Sequence, residues 1–121
     1  MLVDDHKFLR TELRKLLEAE NDMHVVGEAA DGKQAVDMAK KLRPAVIVMD
    51  IAMPKLNGLE ATCQILQGLP DTKVLICSSH CEIAFIERAM AVGAAGYIIK
   101  LTAADVLVTA IRSVQQGETF F

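Results

Sequence analysis

The stretch RPAVIVMDIAMPKLNG, residues 43–58, contains the pattern that decides the fold. Its apolar run at 45–49 is typical of a fully buried strand, and an ionisable side chain, Asp50, follows that run directly. The chain then turns away from this carboxylate at Pro54 and Gly58. Because ligands bind at the carboxyl ends of strands in open α/β sheets, the arrangement predicts that Asp50 lies at a reactive edge.

Four other Val- and Ile-rich runs predict strands, at residues 1–3, 24–29, 73–77 and 95–99. Helical patterns separate the five runs, and this alternation favours right-handed crossovers and a parallel sheet with helices on both faces. We therefore expect an α/β fold of the flavodoxin-like (βα)5 type, a doubly wound parallel five-stranded sheet with strand order 2-1-3-4-5. The run at 24–29 contains Glu28 and is expected at an edge.

Each predicted helix has one apolar face. The residues expected to face the core are Phe8, Leu9, Leu13, Leu16 and Leu17 in the first helix, Ala35, Val36, Ala39 and Leu42 in the second, Leu59, Thr62, Cys63 and Leu66 in the third, Ile83, Phe85, Ile86, Ala89 and Met90 in the fourth, and Val106, Leu107, Ala110, Ile111 and Val114 in the fifth. Gly93 is predicted to cap the fourth helix in a left-handed conformation. Thr102 and Asp105 form a capping-box pattern before the fifth helix, and Gly117 is predicted to end it.

Composition limits the function further. With 121 residues, 52% hydrophobic and 24% charged, the chain is predicted to form one compact soluble domain, residues 1–121. The formal net charge of −3 offers no basic stripe, so we expect the chain itself to bind neither DNA nor a membrane. No apolar stretch approaches the roughly 20 residues that span a bilayer, and MLVDDH does not resemble a secretion signal. A cytoplasmic location is expected.

The cysteines and histidines show no metal-binding pattern. Cys63, Cys77 and Cys81 are odd in number and match no paired CxxC spacing, so we expect reduced, mostly buried thiols. The three histidines, at positions 6, 24 and 80, fall in separate segments. Neither a histidine-containing ligand cluster nor a zinc site is expected.

Reactive side chains follow four of the five predicted strands. Asp4 and Asp5 follow the first strand, Asp50 the third, Ser78 the fourth and Lys100 the fifth. Because parallel strands share one carboxyl edge, three carboxylates, a hydroxyl and an ammonium are expected to converge there.

This combination of groups favours phosphoryl chemistry. Three close carboxylates would raise one another's pKa unless a cation lay among them, and Mg²⁺ prefers carboxylate and phosphate oxygens. Lys100 and Ser78 would stabilise negative charge on a transferring phosphoryl group. A carboxylate is the natural acceptor, which would form an acyl phosphate.

Each residue also has an ordinary structural interpretation. An acidic pair before a helix can be an N-cap that complements the helix dipole. Ser78 could cap a helix, and Lys100 could be a solvated surface residue. The joint appearance of these residue types at successive strand ends is what favours a phosphoryl site.

At the same residues the sequence resembles the receiver domain of bacterial two-component response regulators, in the segments VDDH, MDIAMPKLNGLEA, LICSS and GAAGYIIK. The resemblance implies that Asp50 is the phosphoacceptor, taking phosphate from a sensor histidine kinase. It also implies that Asp4 and Asp5 bind Mg²⁺ with the Ala52 backbone carbonyl and Asp50, and that Lys100 contacts the phosphate. Ser78 and Tyr97 are implied as switch residues.

DDH near the start and AIRSVQQGETFF at the end further resemble the NarL/LuxR-type subfamily, whose regulators carry a DNA-binding helix-turn-helix domain. The resemblance implies a signalling phosphoacceptor, not an enzyme, that promotes its own phosphorylation and dephosphorylation. It implies transcription regulation through an output domain, which is expected to be absent from this chain. Phosphorylation is expected to favour a homodimer.

Three departures from the receiver pattern accompany the resemblance. The first strand has only three residues before the acidic pair, which suggests a trimmed or alternative start. Leu101 follows Lys100 where many receivers have proline, so a cis peptide bond is not assumed there. The sequence stops at Phe121, where a linker to the output domain would begin.

Three other functions share part of this pattern. A haloacid dehalogenase-type phosphatase also uses an aspartate nucleophile with Mg²⁺, but it needs a second aspartate two residues later, where this chain has Ala52. A flavin-binding electron carrier of the same fold needs a phosphate loop after the first strand, and DDHKFLR would repel phosphate. An unphosphorylated protein-interaction module would keep the fold while lacking the full set of site residues.

Overall fold

The computed structural model describes all residues, 1–121, as alternating strands and helices. The strands are β1 (Leu2–Val3), β2 (Glu28–Ala29), β3 (Val46–Met49), β4 (Lys73–Ser78) and β5 (Gly96–Ile99). The helices are α1 (Lys7–Glu18), α2 (Gly32–Leu42), α3 (Gly58–Gly68), α4 (Ile83–Ala91) and α5 (Ala103–Gln115), and a short 3₁₀ turn (Lys100–Thr102) precedes α5. The predicted order of elements is confirmed.

The five strands form one parallel sheet in the order β2-β1-β3-β4-β5. This confirms the flavodoxin-like fold class, with β2 at an edge. The strand predicted at 24–29 is shorter than expected, because Leu2 and Val3 of β1 pair only with Glu28 and Ala29. The carboxyl ends of β1, β3, β4 and β5 therefore meet along one edge.

Two apolar layers cover the sheet, one on each face. Alternate strand residues supply them: Ile47 and Met49 point into one layer and Val48 into the other. Helices α2, α3 and α4 cover the first face, while α1 and α5 cover the second. The residues of the site therefore follow strands that are buried on both faces.

Helical periodicity predicted several core residues wrongly. Phe8 is 79% exposed and Ile83 is 72% exposed, and both lie in the first turn of their helix. The period identifies the stripe of a helix that faces the core, but not how far along the helix the contact extends. Leu42 and Met90 are also exposed, and α3 buries Ala61, Thr62 and Ile65 more deeply than Leu59, Cys63 and Leu66.

The predicted helix ends are mostly confirmed. Gly93 and Gly117 have φ of 96° and 88°, and the amides that follow them bond back to Ala89 at 3.0 Å and Ser113 at 3.1 Å. The capping box at Thr102 is wrong, because the 3₁₀ turn directs the Thr102 hydroxyl to the Ile99 carbonyl, at 3.4 Å.

Three further predictions concern membrane spans, the cysteines and the peptide bond between Lys100 and Leu101. None of the helices is long and apolar enough to cross a membrane. All three cysteines are free, but only Cys77 is buried; Cys63 is half-buried and Cys81 is exposed. Burial raises the pKa of the Cys77 thiol to about 12. The peptide bond between Lys100 and Leu101 is trans.

Candidate functional site

The carboxyl edge of the sheet brings together most of the predicted site residues. Asp4 and Asp50 directly follow β1 and β3, and both are buried. The Lys100 ammonium at the end of β5 lies 2.9 Å from Asp4 Oδ2 and 3.1 Å from Asp50 Oδ2. Asp4 and Lys100 are 46 and 50 positions from Asp50 in the sequence. The three side chains nevertheless form one ionic cluster, because the parallel strands that carry them end at the same edge.

The two carboxylate oxygens of Asp50 lie in different environments. Its Oδ1 accepts a hydrogen bond from the Ile51 N–H at 2.8 Å, while its Oδ2 is buried and makes no well-aligned hydrogen bond. Burial raises the pKa of Asp50, the charge of Asp4 raises it further, and Lys100 opposes both effects. Asp50 Oδ2 is therefore an acceptor oxygen that the protein leaves incompletely satisfied.

Lys100 places one positive charge between the two buried carboxylates. Burial lowers its pKa, but its contacts with the Asp4 and Asp50 carboxylates outweigh that effect and raise its pKa overall. The ammonium is therefore charged and held between the ends of β1 and β3.

Asp5 and His6 complete an acidic cluster with Asp4 and Asp50. The His6 Nδ1 atom lies 2.8 Å from Asp4 Oδ1 and 3.1 Å from Asp5 Oδ1. One ligand atom from each of these four residues falls within 4.8 Å of the others. The prediction that no histidine joins a ligand cluster is therefore wrong for His6. Its position next to the acidic pair was the signal that could have identified it.

Arg10 is a further residue of the site that the sequence pattern does not predict. From the first turn of α1 its guanidinium donates to the Asp4 backbone carbonyl at 2.6 Å and to Glu28 at 3.1 Å. It thereby holds the end of β1 in place. No local motif marks this contact, because it depends on how α1 packs beside β2.

The loop after β3 explains the turn at residues 54–58. Lys55 adopts a left-handed backbone with φ of 69°, and the Gly58 N–H donates to the Ile51 carbonyl at 2.8 Å. A Cβ atom at Gly58 would overlap the Asp50 carbonyl oxygen. The glycine is therefore needed for the start of α3 to approach the end of β3, which leaves the Asp50 side chain at the edge.

The donor set fits a hard divalent cation. Carboxylate oxygens from Asp4, Asp5 and Asp50 converge, and Asp50 Oδ2 contacts the Lys100 ammonium without a well-aligned hydrogen bond. The Ala52 carbonyl, two residues after Asp50, accepts no hydrogen bond from another backbone amide. These oxygens are chemically suited to Mg²⁺, as the sequence predicts.

Ser78 and Tyr97 both form hydrogen bonds with the backbone of His80. The buried Ser78 Oγ accepts the His80 N–H at 3.1 Å, and the Tyr97 hydroxyl donates to the His80 carbonyl at 2.7 Å. Tyr97 is buried, and burial raises its pKa. Its ring therefore points inward, and its hydroxyl is bonded to the loop after β4.

The doubly wound sheet with this acidic edge is the architecture of a two-component signalling domain. Residues 1–112 match the response regulator receiver domain family, and the chain belongs to that family. Receiver domains are signalling proteins and not classical enzymes. Family membership sets aside the phosphatase and flavin-carrier alternatives.

Several individual proteins are similar over the whole chain. The transcriptional regulatory protein DegU of Brevibacillus brevis is 39% identical over 99% of this chain and 51% of its own length. The response regulator protein VraR of Staphylococcus aureus is 40% identical over 100% of this chain and 58% of its own length. This chain thus spans little more than half of these relatives.

The fold has a close structural counterpart as well. The crystal structure of a LuxR-family two-component response regulator from Aurantimonas sp. SI85-9A1 has a TM-score of 0.95 at 36% identity. It covers 100% of this chain, and the chain covers 86% of that structure. The expected LuxR-type relationship is therefore supported in both sequence and structure.

Proposed function

We propose that the whole chain, residues 1–121, is a receiver domain that accepts a phosphoryl group on Asp50. The proposal rests chiefly on the buried Asp50 Oδ2, which has no well-aligned donor and lies 3.1 Å from the Lys100 ammonium. A carboxylate in this state can attack phosphorus without first losing a network of hydrogen bonds.

In the proposed reaction an Asp50 oxygen attacks the phosphorus of a phosphohistidine on a sensor histidine kinase. The new O–P bond forms an acyl phosphate, the N–P bond breaks, and its electron pair returns to the imidazole of the kinase. The Lys100 ammonium, which lies 3.1 Å from Asp50 Oδ2 in the structure, then contacts a phosphoryl oxygen. Ser78 contributes a hydroxyl donor. In this way the domain promotes its own phosphorylation and, with water as the attacking group, its own dephosphorylation.

The proposed cofactor is Mg²⁺, held by Asp4, Asp5, Asp50 and the Ala52 carbonyl. When bound, it would supply positive charge that offsets the developing negative charge on the phosphoryl oxygens. Asp4 keeps Lys100 at the site through their 2.9 Å contact. The Asp4 carboxylate in turn is positioned by the His6 N–H, at 2.8 Å.

The proposed output is control of transcription through a DNA-binding domain that would follow the receiver domain in a full-length regulator. The similarity to DegU and to VraR supports this, since their names describe a transcriptional regulatory protein and a response regulator. Phosphorylation would change the contacts of Ser78 and Tyr97 and favour a homodimer. With its net charge of −3 this chain is itself poorly suited to contact DNA.

Intact-mass analysis after incubation with acetyl phosphate tests the central assignment. We expect a single phosphoryl adduct in the presence of Mg²⁺ and loss of that adduct in Asp50→Asn or in excess chelator. Asp37→Asn, a change at an exposed carboxylate on α2, is the matched control and should keep the full yield. An equal adduct in Asp50→Asn would refute the assignment. No adduct in any protein would favour an unphosphorylated interaction module.

A further inference from the structure

His6 lies on the side of the acidic cluster that Lys100 does not contact. The Lys100 ammonium reaches Asp4 Oδ2 and Asp50 Oδ2. The His6 Nδ1 atom instead lies 2.8 Å from Asp4 Oδ1 and 3.1 Å from Asp5 Oδ1. Because the ring nitrogen and the ammonium use different oxygens of Asp4, a cation held beside His6 would leave the contact between Asp4 and Lys100 in place.

Hydrogen bonds alone do not fully satisfy these groups. A ring nitrogen carries at most one proton, yet two carboxylate oxygens lie close to His6 Nδ1. One of them, Asp4 Oδ1, already accepts the His6 backbone N–H at 2.8 Å. When the proton of the neutral ring is on Nε2, the Nδ1 lone pair is free to coordinate a dication together with both carboxylates.

The buried carboxylate of Asp50 independently points to a bound ion at this position. Asp50 is 3% exposed, and its Oδ2 makes no well-aligned hydrogen bond. A buried polar atom without such a partner is rare in folded proteins, and an ion is one explanation for it. Asp50 is also one of the four residues whose ligand atoms all lie within 4.8 Å of one another, and His6 is another. The same ion could therefore contact both.

The spacing of the ligand atoms fits a single octahedral ion. With metal–ligand bonds of about 2.1 Å, adjacent ligands in an octahedron are about 3.0 Å apart and opposite ligands about 4.2 Å apart. The two contacts of His6, at 2.8 Å and 3.1 Å, match the distance between adjacent ligands. The limit of 4.8 Å within the cluster only slightly exceeds the distance between opposite ligands, so small side-chain rotations would complete the shell.

We propose that His6 is a metal ligand and that it makes the site selective for a first-row transition-metal dication, such as Mn²⁺, over Mg²⁺. This inference rests on the proposed function, because it concerns the cation of the same site. Mg²⁺ takes oxygen ligands and would leave His6 outside its shell, whereas transition-metal dications also accept an imidazole nitrogen. His6 thus adds to the carboxylates a donor that only one of the two kinds of cation uses.

Electron paramagnetic resonance on the full chain, at a fixed pH, tests the proposal with Mn²⁺ alone as the probe. The signal of free Mn²⁺ gives its dissociation constant, and competition with Mg²⁺ gives the second constant. Electron spin echo envelope modulation detects a nitrogen nucleus bound to the ion. We expect wild type to show the coupling of a directly bound imidazole nitrogen and to bind Mn²⁺ at least roughly tenfold more tightly than Mg²⁺.

A matched pair of variants isolates the ring nitrogen. His6→Asn should abolish the nitrogen coupling and weaken Mn²⁺ binding roughly tenfold or more, while Mg²⁺ binding changes less than roughly threefold. The His6 side chain is 66% exposed and the backbone N–H bond to Asp4 is kept, so the variant should fold. His24→Asn is the control, since the His24 ring is exposed and contacts one carboxylate, Glu18, at 3.5 Å. It should match wild type in every measurement.

The outcomes separate this inference from the proposed function. If Mn²⁺ binds without nitrogen coupling, or if the coupling persists in His6→Asn, then His6 is not a ligand, while the phosphoacceptor assignment to Asp50 stands. If His6→Asn weakens Mn²⁺ and Mg²⁺ binding equally, His6 only positions Asp4 and the proposed selectivity is refuted. If the chain binds neither cation, the inference fails together with the proposed Mg²⁺ cofactor.

Discussion

At the scale of single residues, Asp50 combines two properties that usually conflict. A buried carboxylate is normally given a full set of hydrogen bonds, because an unsatisfied charge in the interior is costly. Here Asp50 is 3% exposed, yet one oxygen relies on the Lys100 ammonium alone. Repulsion from Asp4 adds to the cost and raises the pKa of Asp50. A bound cation would reduce this unfavourable electrostatic energy of the folded state.

Mg²⁺ is therefore expected to stabilise the folded protein. An ion that binds only the native state at 100 times its dissociation constant adds about 2.7 kcal/mol to the free energy of unfolding. Thermal melts with and without Mg²⁺ measure the effect. We expect Asp5→Asn to lose most of the response and Asp37→Asn to keep it. An equal response in wild type and Asp5→Asn would remove Asp5 from the metal site.

At the scale of elements, the start of α3 fixes where the Asp50 side chain lies. The Gly58 N–H bonds back to Ile51, and the missing Cβ lets the first turn of α3 lie against the end of β3. Asn57 caps the same helix by accepting the Glu60 N–H at 2.9 Å. The turn at 54–58 is therefore part of the site and not only a connection.

We expect Gly58→Ala to destabilise the fold by about 1–3 kcal/mol, since the new Cβ must displace the backbone of β3 or α3. Gly68→Ala, at the last residue of the same helix, is the matched control. Its Cβ would meet nothing within 4 Å, so it should be neutral or stabilising by up to about 1 kcal/mol. Urea unfolding of both variants decides; equal stabilities would show that the close approach is unimportant.

A second connection between elements ties α1 to β2. Arg14 and Arg10 of α1 contact Glu28 at 2.6 Å and 3.1 Å. The hydrogen bond from Arg14 is the main reason that the pKa of Glu28 is lowered, and burial opposes it. Because β2 has only two residues and one neighbouring strand, these two ion pairs add to the contacts that hold the edge.

The lowered pKa makes this contribution dependent on pH. A carboxylate whose folded pKa is lowered stabilises the protein above its unfolded pKa of about 4.3, and the contribution is lost as pH falls through the folded value. We expect Glu28→Gln to cost about 1 kcal/mol at pH 7 and progressively less below pH of about 4.

Urea unfolding at several pH values checks the dependence. Glu12→Gln, which removes an exposed partner of Lys15 at 3.7 Å, should change stability by less than about 0.5 kcal/mol at every pH. A Glu28→Gln cost that stayed constant from pH 7 to the acid range would contradict the prediction.

At the scale of the whole molecule, alternation of apolar runs and helices was enough to predict the fold. It also predicted which strand ends meet, because parallel strands share an edge regardless of loop detail. What the pattern could not predict depends on contacts between distant segments. Arg10 reaches Asp4 through the packing of α1, and Phe120 pairs with Gly96 after the whole of α5 has intervened. Exposure of Phe8 likewise depends on where the helix contact ends.

The surface of the whole molecule suggests how phosphorylation would be transmitted. Apolar side chains are exposed along α4 and at the loop before α5, among them Met90 and Leu101, the latter 91% exposed. Tyr97 lies beneath this α4–β5–α5 surface and is bonded to the loop that leads into α4. A change at Ser78 can therefore alter the surface that a second copy would contact. The adjoining surface of α1 and α5 is the alternative contact.

We expect beryllofluoride with Mg²⁺ to shift the protein toward a homodimer. Moving a two-state element from 1:99 to 99:1 needs about 5.5 kcal/mol, which charge-assisted contacts of Ser78 and Lys100 with the phosphoryl mimic can supply together. Sedimentation velocity should show the dimer in wild type and its loss in Ser78→Ala. Met90→Lys should also weaken it, whereas Leu42→Lys, an exposed leucine on α2, should not. A dimer insensitive to Met90→Lys would place the contact on the α1 and α5 surface. If no dimer forms at all, the switch is refuted, but the proposal that Asp50 is the phosphoacceptor stands.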